Sequence, residues 1–184
     1  MKLDLDFQQL INLLSPSESK ANFSSFPINN LVIDSRDPRI SEQTVFVALK
    51  GQFVDGHDFL EDFQKKGGRT AIVERRNDKL EISQILVNDT LEALHKIAIN
   101  HRAKFSCPVI GVTGSNGKTI VKEWLYVVLK EKFNVVRSPK SYNSQIGVPL
   151  SVLEMTNNHN LAIFEAGISK PSEMERLEKI IKPT

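Results

Sequence analysis

The stretch VIGVTGSNGKTIVKEW, residues 109–124, decides the fold of the second half of the chain. An apolar run up to Val112 predicts a buried strand, and a glycine-containing loop then leads into a helix that opens on Lys118 and Thr119. Backbone N–H groups in such a loop converge on anions, and the helix N-terminus adds its dipole. The strict spacing G-x-x-x-x-G-K-[ST] has a glycine where Val112 stands, so this loop departs from the general phosphate-binding pattern. The alternative interpretation is a tight strand-to-helix turn with an exposed lysine.

Strands and helices alternate after this stretch. An apolar stripe on the following helix, Val121, Trp124, Leu125 and Val128, predicts that Trp124 lies in the core. Two capping-box spacings, Asp89 with Glu92 and Ser172 with Glu175, predict helix starts. The predicted strands are 109–113, 133–138 and 161–167, and the predicted helices are 88–105, 118–132, 147–155 and one that begins after residue 172.

The preceding residues also alternate between strands and helices. The sequence predicts a first helix at 3–12, strands at 31–33, 44–50, 70–74 and 84–87, and a helix at 57–68. The fold class is therefore α/β. We expect a small N-terminal α/β domain at 1–87, and at 88–184 the first part of a P-loop-type parallel-sheet domain. A doubly wound sheet usually has about five or more strands, so three strands here favour a fragment.

Composition narrows the class of protein. The 184 residues carry a net charge of +2 without a basic run, which argues against nucleic acid and against a membrane surface as partners. The single cysteine, Cys107, permits no internal disulfide, and no apolar run approaches the roughly 20 residues that span a bilayer. We expect a cytoplasmic location and a monomer.

Residues at the predicted loop have the chemistry of a nucleotide site. Gly114 and Gly117 let the chain turn around an anion, Lys118 supplies a positive charge, and the Thr119 hydroxyl suits Mg²⁺. Glu165 ends the apolar strand LAIFE, and a carboxylate at that end of a strand beside the loop can hold Mg²⁺ directly or through water. The alternative for Glu165 is a strand-end residue that pairs with a neighbouring cation.

Four segments resemble the Mur ligase family, the ATP-dependent amide ligases of peptidoglycan synthesis. TGSNGKT (113–119) is similar to the family's own loop, which does not require a glycine at the position of Val112. Residues 32–74, with DSR, FVALKG and DGHDF, resemble the N-terminal substrate domain of the third and fourth ligases of the pathway. SYNSQIGVPLSVL (141–153) and FEAGISKPSEM (164–174) resemble the fourth. The resemblance covers residues 31–184, and it implies that the α/β domain at 1–87 is a substrate domain and that the P-loop-type parallel-sheet domain at 88–184 is the first part of an ATP-binding domain.

The resemblance implies ATP and Mg²⁺, with UDP-N-acetylmuramoyl-tripeptide and D-alanyl-D-alanine as substrates joined through an acyl phosphate. Lys118 and Glu165 would be catalytic, and Thr119 and Glu165 would hold the metal. ATP would contact Gly114, Ser115, Asn116, Gly117, Lys118, Thr119 and Asn143, and the UDP-linked substrate would contact Ser35, Arg36, Lys50, Gly51, Asp55, Gly56 and His57. The alternatives are turn roles: a capped turn at residues 34–36, a β-turn at 55–56 and a turn residue at Asn143.

Other functions stay open at this point. The ligase that adds the third amino acid, a non-catalytic nucleotide-sugar binding module and an unrelated P-loop kinase are the alternatives. The family's central domain continues with further metal and nucleotide residues, and a third domain brings the amine. We therefore expect little ligase turnover from residues 1–184 alone.

Overall fold

The computed structural model describes residues 2–15, 18–20 and 26–184. It divides into two units, Met1–Ile97 and Ala98–Thr184. The division falls inside helix α3, Thr90–Arg102, whereas the sequence predicted a boundary between residues 87 and 88.

The first unit is built on a six-stranded sheet in the order β1-β3-β4-β5-β6-β2. Its four central strands run parallel, and β1 and β2 pair antiparallel at the two edges. The strands are β1 Lys2–Asp6, β2 Glu18–Lys20, β3 Pro27–Val32, β4 Thr44–Val47, β5 Thr70–Val73 and β6 Ser83–Leu86, and the helices are α1 Phe7–Leu14, a 3-10 turn Gly56–Phe59 and α2 Leu60–Lys65.

Aromatic packing forms the core between this sheet and α2. The rings of Phe46 and Phe63 stack with centroids 5.2 Å apart, and both side chains are buried. Gly68 leaves room for this pair, because a Cβ at that position would lie 2.2 Å from the Phe63 ring. The parallel strands β3 and β4 contribute Val32 and Phe46 to this core, and their carboxyl ends lead into the segments predicted to contact the UDP-linked substrate.

The first helix begins later than predicted. Residues 3–6, LDLD, alternate apolar and acidic residues and form part of β1, which pairs with β3. Asp6 then caps α1: its carboxylate accepts from Gln9 N–H at 2.7 Å, and the Gln9 side chain accepts from Asp6 N–H at 2.9 Å. The predicted helix at 3–12 is therefore wrong for its first four residues.

The second unit contains a three-stranded parallel sheet in the order β7-β9-β8. Val112, at the end of β7, pairs in register with Glu165 at the end of β9. The elements are β7 Val109–Val112, α4 Lys118–Leu129, β8 Val135–Arg137, α5 Gly147–Val152, β9 Leu161–Glu165 and α6 Glu173–Ile181. The predicted α/β class is confirmed, and so is the predicted order of elements in this unit, whereas β1 and β2 of the first unit were not predicted.

Helix α4 packs against the sheet with a different face from the one predicted. Trp124 is 69% exposed and Val128 is 72% exposed, so the prediction of a core Trp124 is wrong. The inward side instead carries Lys122, which is fully buried, with Leu125 half-buried beside it. Apolar residues occur on both sides of this helix, and the buried lysine is compensated by polar partners described below.

The two predicted capping boxes differ in outcome. Asp89 accepts from Glu92 N–H at 2.9 Å, as the spacing predicts. Helix α6 begins directly after Ser172, so the predicted helix start is confirmed, but Ser172 adopts a left-handed backbone with φ 64° and its side chain makes no cap hydrogen bond, so the predicted capping box is wrong. The Glu173 carboxylate instead accepts from Ser169 N–H at 2.7 Å and Lys170 N–H at 3.0 Å.

The described helices are all too short or too polar to cross a lipid bilayer.

Candidate functional site

The loop between β7 and α4 presents backbone donors to solvent. Gly114 and Gly117 have φ of 146° and 76°, in the region that favours glycine. Gly117 caps α4 without a side-chain hydrogen bond, and Val121 N–H is the donor that reaches back to Gly117 O, at 2.9 Å. The N–H groups of the first turn therefore face the loop, the arrangement that binds phosphate at helix N-termini.

Val112, which stands where the strict spacing has a glycine, is part of the sheet and not of the loop. Its side chain is 8% exposed, and its carbonyl accepts from Ala166 N–H at 2.9 Å. The position is thus part of the sheet, where a β-branched residue packs well. The exposed loop begins one residue later and contains Ser115 and Asn116 as well as the two glycines.

Lys118 lies at the mouth of this loop. Its ammonium donates to Gly114 O at 2.8 Å, so the side chain folds over the loop that precedes it. The positive charge therefore sits at the N-terminus of α4, beside the first-turn N–H groups. The lysine charge and the N–H groups both favour a bound anion.

Thr119, Asn143 and Glu165 form one hydrogen-bonded group next to the loop. The Thr119 hydroxyl donates to Glu165 Oε2 at 2.9 Å, and the Asn143 amide donates to Glu165 Oε1 at 2.8 Å. Glu165 is 1% exposed. The structure thus brings together three residues that are far apart in sequence and that were predicted for the same site.

These groups fit a nucleotide-bound Mg²⁺ better than a metal held by protein alone. Among the described residues, no three His, Cys, Asp or Glu side chains cluster in a way that could hold a metal ion. Mg²⁺ is commonly held by one or two protein ligands together with phosphate oxygens and water. The Thr119 hydroxyl and the Glu165 carboxylate supply such a pair beside the loop.

Lys122 belongs to the same site and was missed in the sequence. Its ammonium lies 3.9 Å from Glu165 Oε2 and 3.2 Å from Glu123 Oε1, and it donates to Ser138 O at 2.8 Å. One indication of this was present in the sequence: Lys122 lies four residues after Lys118, which places both lysines on one side of α4. An isolated lysine in an apolar stripe is usually solvent-exposed, so the spacing alone did not identify it.

Part of the predicted substrate site lines a cleft in the first unit. The cleft has a volume of about 380 Å³ and lies where β3 and β4 end. Ser35, Arg36 and Gly56 line it together with apolar residues that include Val54 and Phe59. Three of the seven residues predicted for the UDP-linked substrate are therefore brought together.

The DSR turn at this cleft is capped by its own aspartate. Asp34 accepts from Arg36 N–H at 2.9 Å and from the Arg36 guanidinium at 2.8 Å. Hydrogen bonds from the Arg36 side chain, more than any other cause, lower the pKa of Asp34 to about 2. Ser35 is buried and its carbonyl accepts from Lys66 Nζ at 2.8 Å. Arg36 is the exposed member of the turn, with its side chain 86% exposed.

Asp55 and His57 make structural contacts. His57 Nδ1 lies 2.6 Å from Asp55 Oδ1, and His57 Nε2 accepts from Glu74 N–H at 2.9 Å. Both ring nitrogens are thus engaged, and the ring is buried. Asp55 also pairs with Arg75 at 2.9 Å. In this conformation His57 has no free nitrogen for a ligand, so the structure favours a turn-stabilising role over substrate contact.

Lys50 and Gly51 lie on the turn that leads to the same cleft. Lys50 and Asp55 form an isolated antiparallel bridge, and Gly51 N–H donates to Val54 O at 2.8 Å. Gly56 is needed for this turn, because a Cβ there would lie 2.8 Å from the backbone of Leu49. Lys50 and Gly51 do not line the cleft itself.

Comparison with known proteins shows similarity to one family. Residues 112–184 match the family model described as Mur ligase middle domain. The UDP-N-acetylmuramoyl-tripeptide–D-alanyl-D-alanine ligase of Synechocystis sp. is 38% identical over 159 residues, which are 85% of this chain and 35% of that protein. The Bacillus subtilis ligase of the same name is 35% identical over 158 residues, 85% of this chain and 34% of that protein. The chain spans about a third of the length of these curated relatives.

Solved structures show the same likeness. A crystal structure of MurF from Acinetobacter baumannii aligns with a TM-score of 0.89 at 31% identity, over 99% of this chain and 40% of that one. The MurF ligase of Thermotoga maritima in complex with ADP aligns with a TM-score of 0.75 at 36% identity, over 84% of this chain and 35% of that one.

Proposed function

Since the chain belongs to the Mur ligase family, we propose that it carries the nucleotide-phosphate site of an ATP-dependent amide ligase. The proposed reaction joins D-alanyl-D-alanine to UDP-N-acetylmuramoyl-tripeptide in peptidoglycan precursor synthesis. The observation that carries the proposal is the loop of residues 114–119 beside a buried Glu165, which accepts hydrogen bonds from both Thr119 and Asn143. The cytoplasmic location and the monomeric state stay predictions.

The proposed chemistry activates a carboxylate. The γ-phosphoryl group of ATP passes to the free carboxylate of the peptide, which gives an acyl phosphate and ADP. The amine of D-alanyl-D-alanine then attacks the carbonyl carbon, and phosphate leaves as the amide forms. Charge accumulates on the transferred phosphoryl oxygens, so preorganised donors and cations are the principal contribution of the protein.

The residues at the loop supply these donors. Lys118 and the first-turn N–H groups of α4 would bind the phosphates and stabilise charge on the transferred group. Thr119 and Glu165 would hold Mg²⁺, which when bound neutralises phosphate charge and orients the transferred group. Asn143 holds the Glu165 carboxylate from the side opposite Thr119. In the intact ligase we expect Lys118→Ala to lower turnover on the order of 10²–10³-fold.

We further propose that the cleft of the first unit binds the UDP-linked substrate. The exposed Arg36 guanidinium suits a pyrophosphate, and the apolar walls near Val54 and Phe59 suit a base or sugar face. Substituting Arg36 tests this role, because its side chain is 86% exposed and, among the described residues, hydrogen-bonds only to the neighbouring Asp34 carboxylate, so we expect the fold to be retained. We expect Arg36→Ala to weaken binding of the UDP-linked substrate about tenfold or more.

Calorimetry with the 184-residue chain tests the assignment. We expect separate binding of Mg-ADP and of UDP-N-acetylmuramoyl-tripeptide. Binding of the second without the first would favour a non-catalytic nucleotide-sugar module. In the intact ligase, ADP release that depends on a diamino acid rather than on D-alanyl-D-alanine would indicate the ligase that adds the third amino acid.

A further inference from the structure

Lys122 is a buried cation that the proposed chemistry does not use. It is 0% exposed, and its ammonium donates to two backbone carbonyls, those of Ser138 and Lys140. We propose that Lys122 is a positioning residue: it clamps the segment 138–143, named here the β8 loop, so that this loop holds Glu165 in place for a metal-bound nucleotide. This inference rests on the proposed nucleotide site.

The β8 loop supplies three groups to the predicted metal ligands. Ser138 Oγ accepts from Glu165 N–H at 3.0 Å, and the Asn143 amide donates to the Glu165 carboxylate at 2.8 Å. Ser141 Oγ lies 3.4 Å from Thr119 Oγ1. A displacement of this loop would therefore change the surroundings of both Thr119 and Glu165.

The loop needs a clamp because its backbone is strained. Lys140 adopts φ 49°, a left-handed conformation that costs a residue with a Cβ roughly 1–2 kcal/mol. Such conformations persist where the surroundings over-determine them. The carbonyl of this same residue is one of the two that Lys122 holds.

Two glycines let the rest of the loop pack closely. A Cβ at Gly147 would lie 2.9 Å from the Tyr142 backbone, and a Cβ at Gly167 would lie 3.1 Å from the Asn143 side chain. Gly167 N–H also donates to Asn143 O at 2.8 Å. The loop thus packs against the start of α5 and the segment after β9, and Lys122 contacts it from α4.

The charges around Lys122 agree with this role. The ammonium lies between Glu165, which faces the phosphate loop, and Glu123, whose carboxylate also pairs with Arg137 at 3.1 Å. Lys122 therefore has Glu123, which is partly exposed, as a second carboxylate partner besides Glu165. The two hydrogen bonds from the Lys122 ammonium to backbone carbonyls fix its position independently of Glu165. The Glu165 oxygens therefore stay oriented towards Thr119 and Asn143.

Amide hydrogen exchange on the 184-residue chain without nucleotide tests the clamp. In Lys122→Met we expect exchange at Tyr142 N–H and Gly167 N–H to accelerate about tenfold or more, because two charge-assisted hydrogen bonds are lost. Ala48 N–H, which donates to Ile72 O in the first unit, should not change. The exposed Lys132→Met is the matched control and should leave all three amides at wild-type rates. Wild-type exchange at Tyr142 and Gly167 in Lys122→Met would overturn the inference.

A measurement on the wild-type chain covers the case in which Lys122→Met does not fold. A buried ammonium bound to two carbonyls exchanges its protons slowly, so its ¹H–¹⁵N signal should be visible at neutral pH, with through-space contacts to residue 140. Failure to detect any protected lysine ammonium near that residue would contradict the clamp.

Mg-ADP binding separates the inference from the proposed function. We expect Lys122→Met to raise the Kd for Mg-ADP about tenfold, while Lys132→Met does not change it. If the wild-type chain binds no Mg-ADP, the proposed nucleotide site is wrong, and the exchange experiment still decides whether Lys122 holds the loop. If Lys122→Met loosens the loop and binds Mg-ADP with the wild-type Kd, Lys122 is structural and the positioning role is refuted.

Discussion

Replacing Glu165 with glutamine separates a metal-site role from a role in charge balance. A glutamine can keep both neutral contacts, since its oxygen can accept from Asn143 and its amide can donate to the Thr119 hydroxyl. The change therefore removes one negative charge at a position that is 1% exposed. Loss of one carboxylate from a Mg²⁺ site with few protein ligands should raise the Kd for Mg-ADP by about ten- to hundredfold.

Glu123→Gln is the matched control for this experiment. Glu123 lies 3.2 Å from the Lys122 ammonium and Glu165 lies 3.9 Å from it, so Glu123→Gln also removes a carboxylate partner of this lysine. The Glu123 side chain is 40% exposed and Glu165 is 1% exposed, so solvent screens the Glu123 charge more strongly. Its carboxylate pairs with Lys122 and Arg137, not with Thr119. We therefore expect Glu123→Gln to bind Mg-ADP within about two- to threefold of wild type.

The assay is isothermal titration calorimetry of the 184-residue chain with ADP, in excess Mg²⁺ and in EDTA. Glu165→Gln should weaken binding in Mg²⁺ and leave binding in EDTA close to wild type. Equal losses in Glu165→Gln and Glu123→Gln would mean that charge balance around Lys122, and not metal contact, explains the effect. Unchanged binding of Mg-ADP by Glu165→Gln would refute the metal role of Glu165.

Three further predictions concern the backbone and pH. Gly117→Ala meets no neighbouring atom but must keep φ 76°, so we expect a strain of about 1–2 kcal/mol and weaker Mg-ADP binding by calorimetry; unchanged affinity would contradict it. Gly68→Ala pushes a methyl group into the Phe63 ring and should lower the free energy of unfolding by about 1–3 kcal/mol in urea titrations, and a neutral effect would show that the ring can move. Burial raises the pKa of Asp55, but hydrogen bonds from His57 outweigh it and lower the pKa to about 2. Because the folded pKa is the lower one, the stabilisation is complete above the unfolded value of 3.8 and is lost as the pH falls towards 2. Asp55→Asn should remove about 1 kcal/mol of that dependence after allowance for solvent screening, measured by denaturation at several pH values; the same pH dependence in the variant would exclude Asp55 as its source.

The loop between β7 and α4 was predictable because its sequence signals are local and agree with one another. An apolar strand, two glycines and a lysine-threonine pair at a helix start specify strand, loop and helix within 16 residues. Glu165 could be associated with this loop because the carboxyl ends of parallel strands share one edge of a sheet. The in-register pair Val112 and Glu165 confirms that association.

The inward face of α4 could not be predicted from apolar periodicity. Val121, Trp124 and Val128 repeat at helical spacing, yet all three are exposed. The residue that is fully buried is Lys122, and its burial depends on two carbonyls of the β8 loop. Those partners lie 16 and 18 residues away in the sequence, so no local pattern shows them.

The lining of the cleft in the first unit was only partly predictable for a similar reason. The DSR and DGHDF segments mark turns at the ends of β3 and β4, and the cleft lies there. Which side chains face the cleft depends on hydrogen bonds across the turns. His57 is occupied by Asp55 and Glu74, whereas Arg36 stays exposed.

The most direct test of the central claim is calorimetry of Mg-ATP binding to the 184-residue chain and to its Lys118→Ala variant. The proposed site predicts saturable binding at one site, with a Kd about ten- to hundredfold higher in the variant, because a charge-assisted contact to phosphate is lost while the fold is retained. Circular dichroism should show the same secondary structure in both proteins. Equal affinities in the two proteins, or no binding by the wild type, would contradict the assignment of residues 114–119 as a nucleotide-phosphate site.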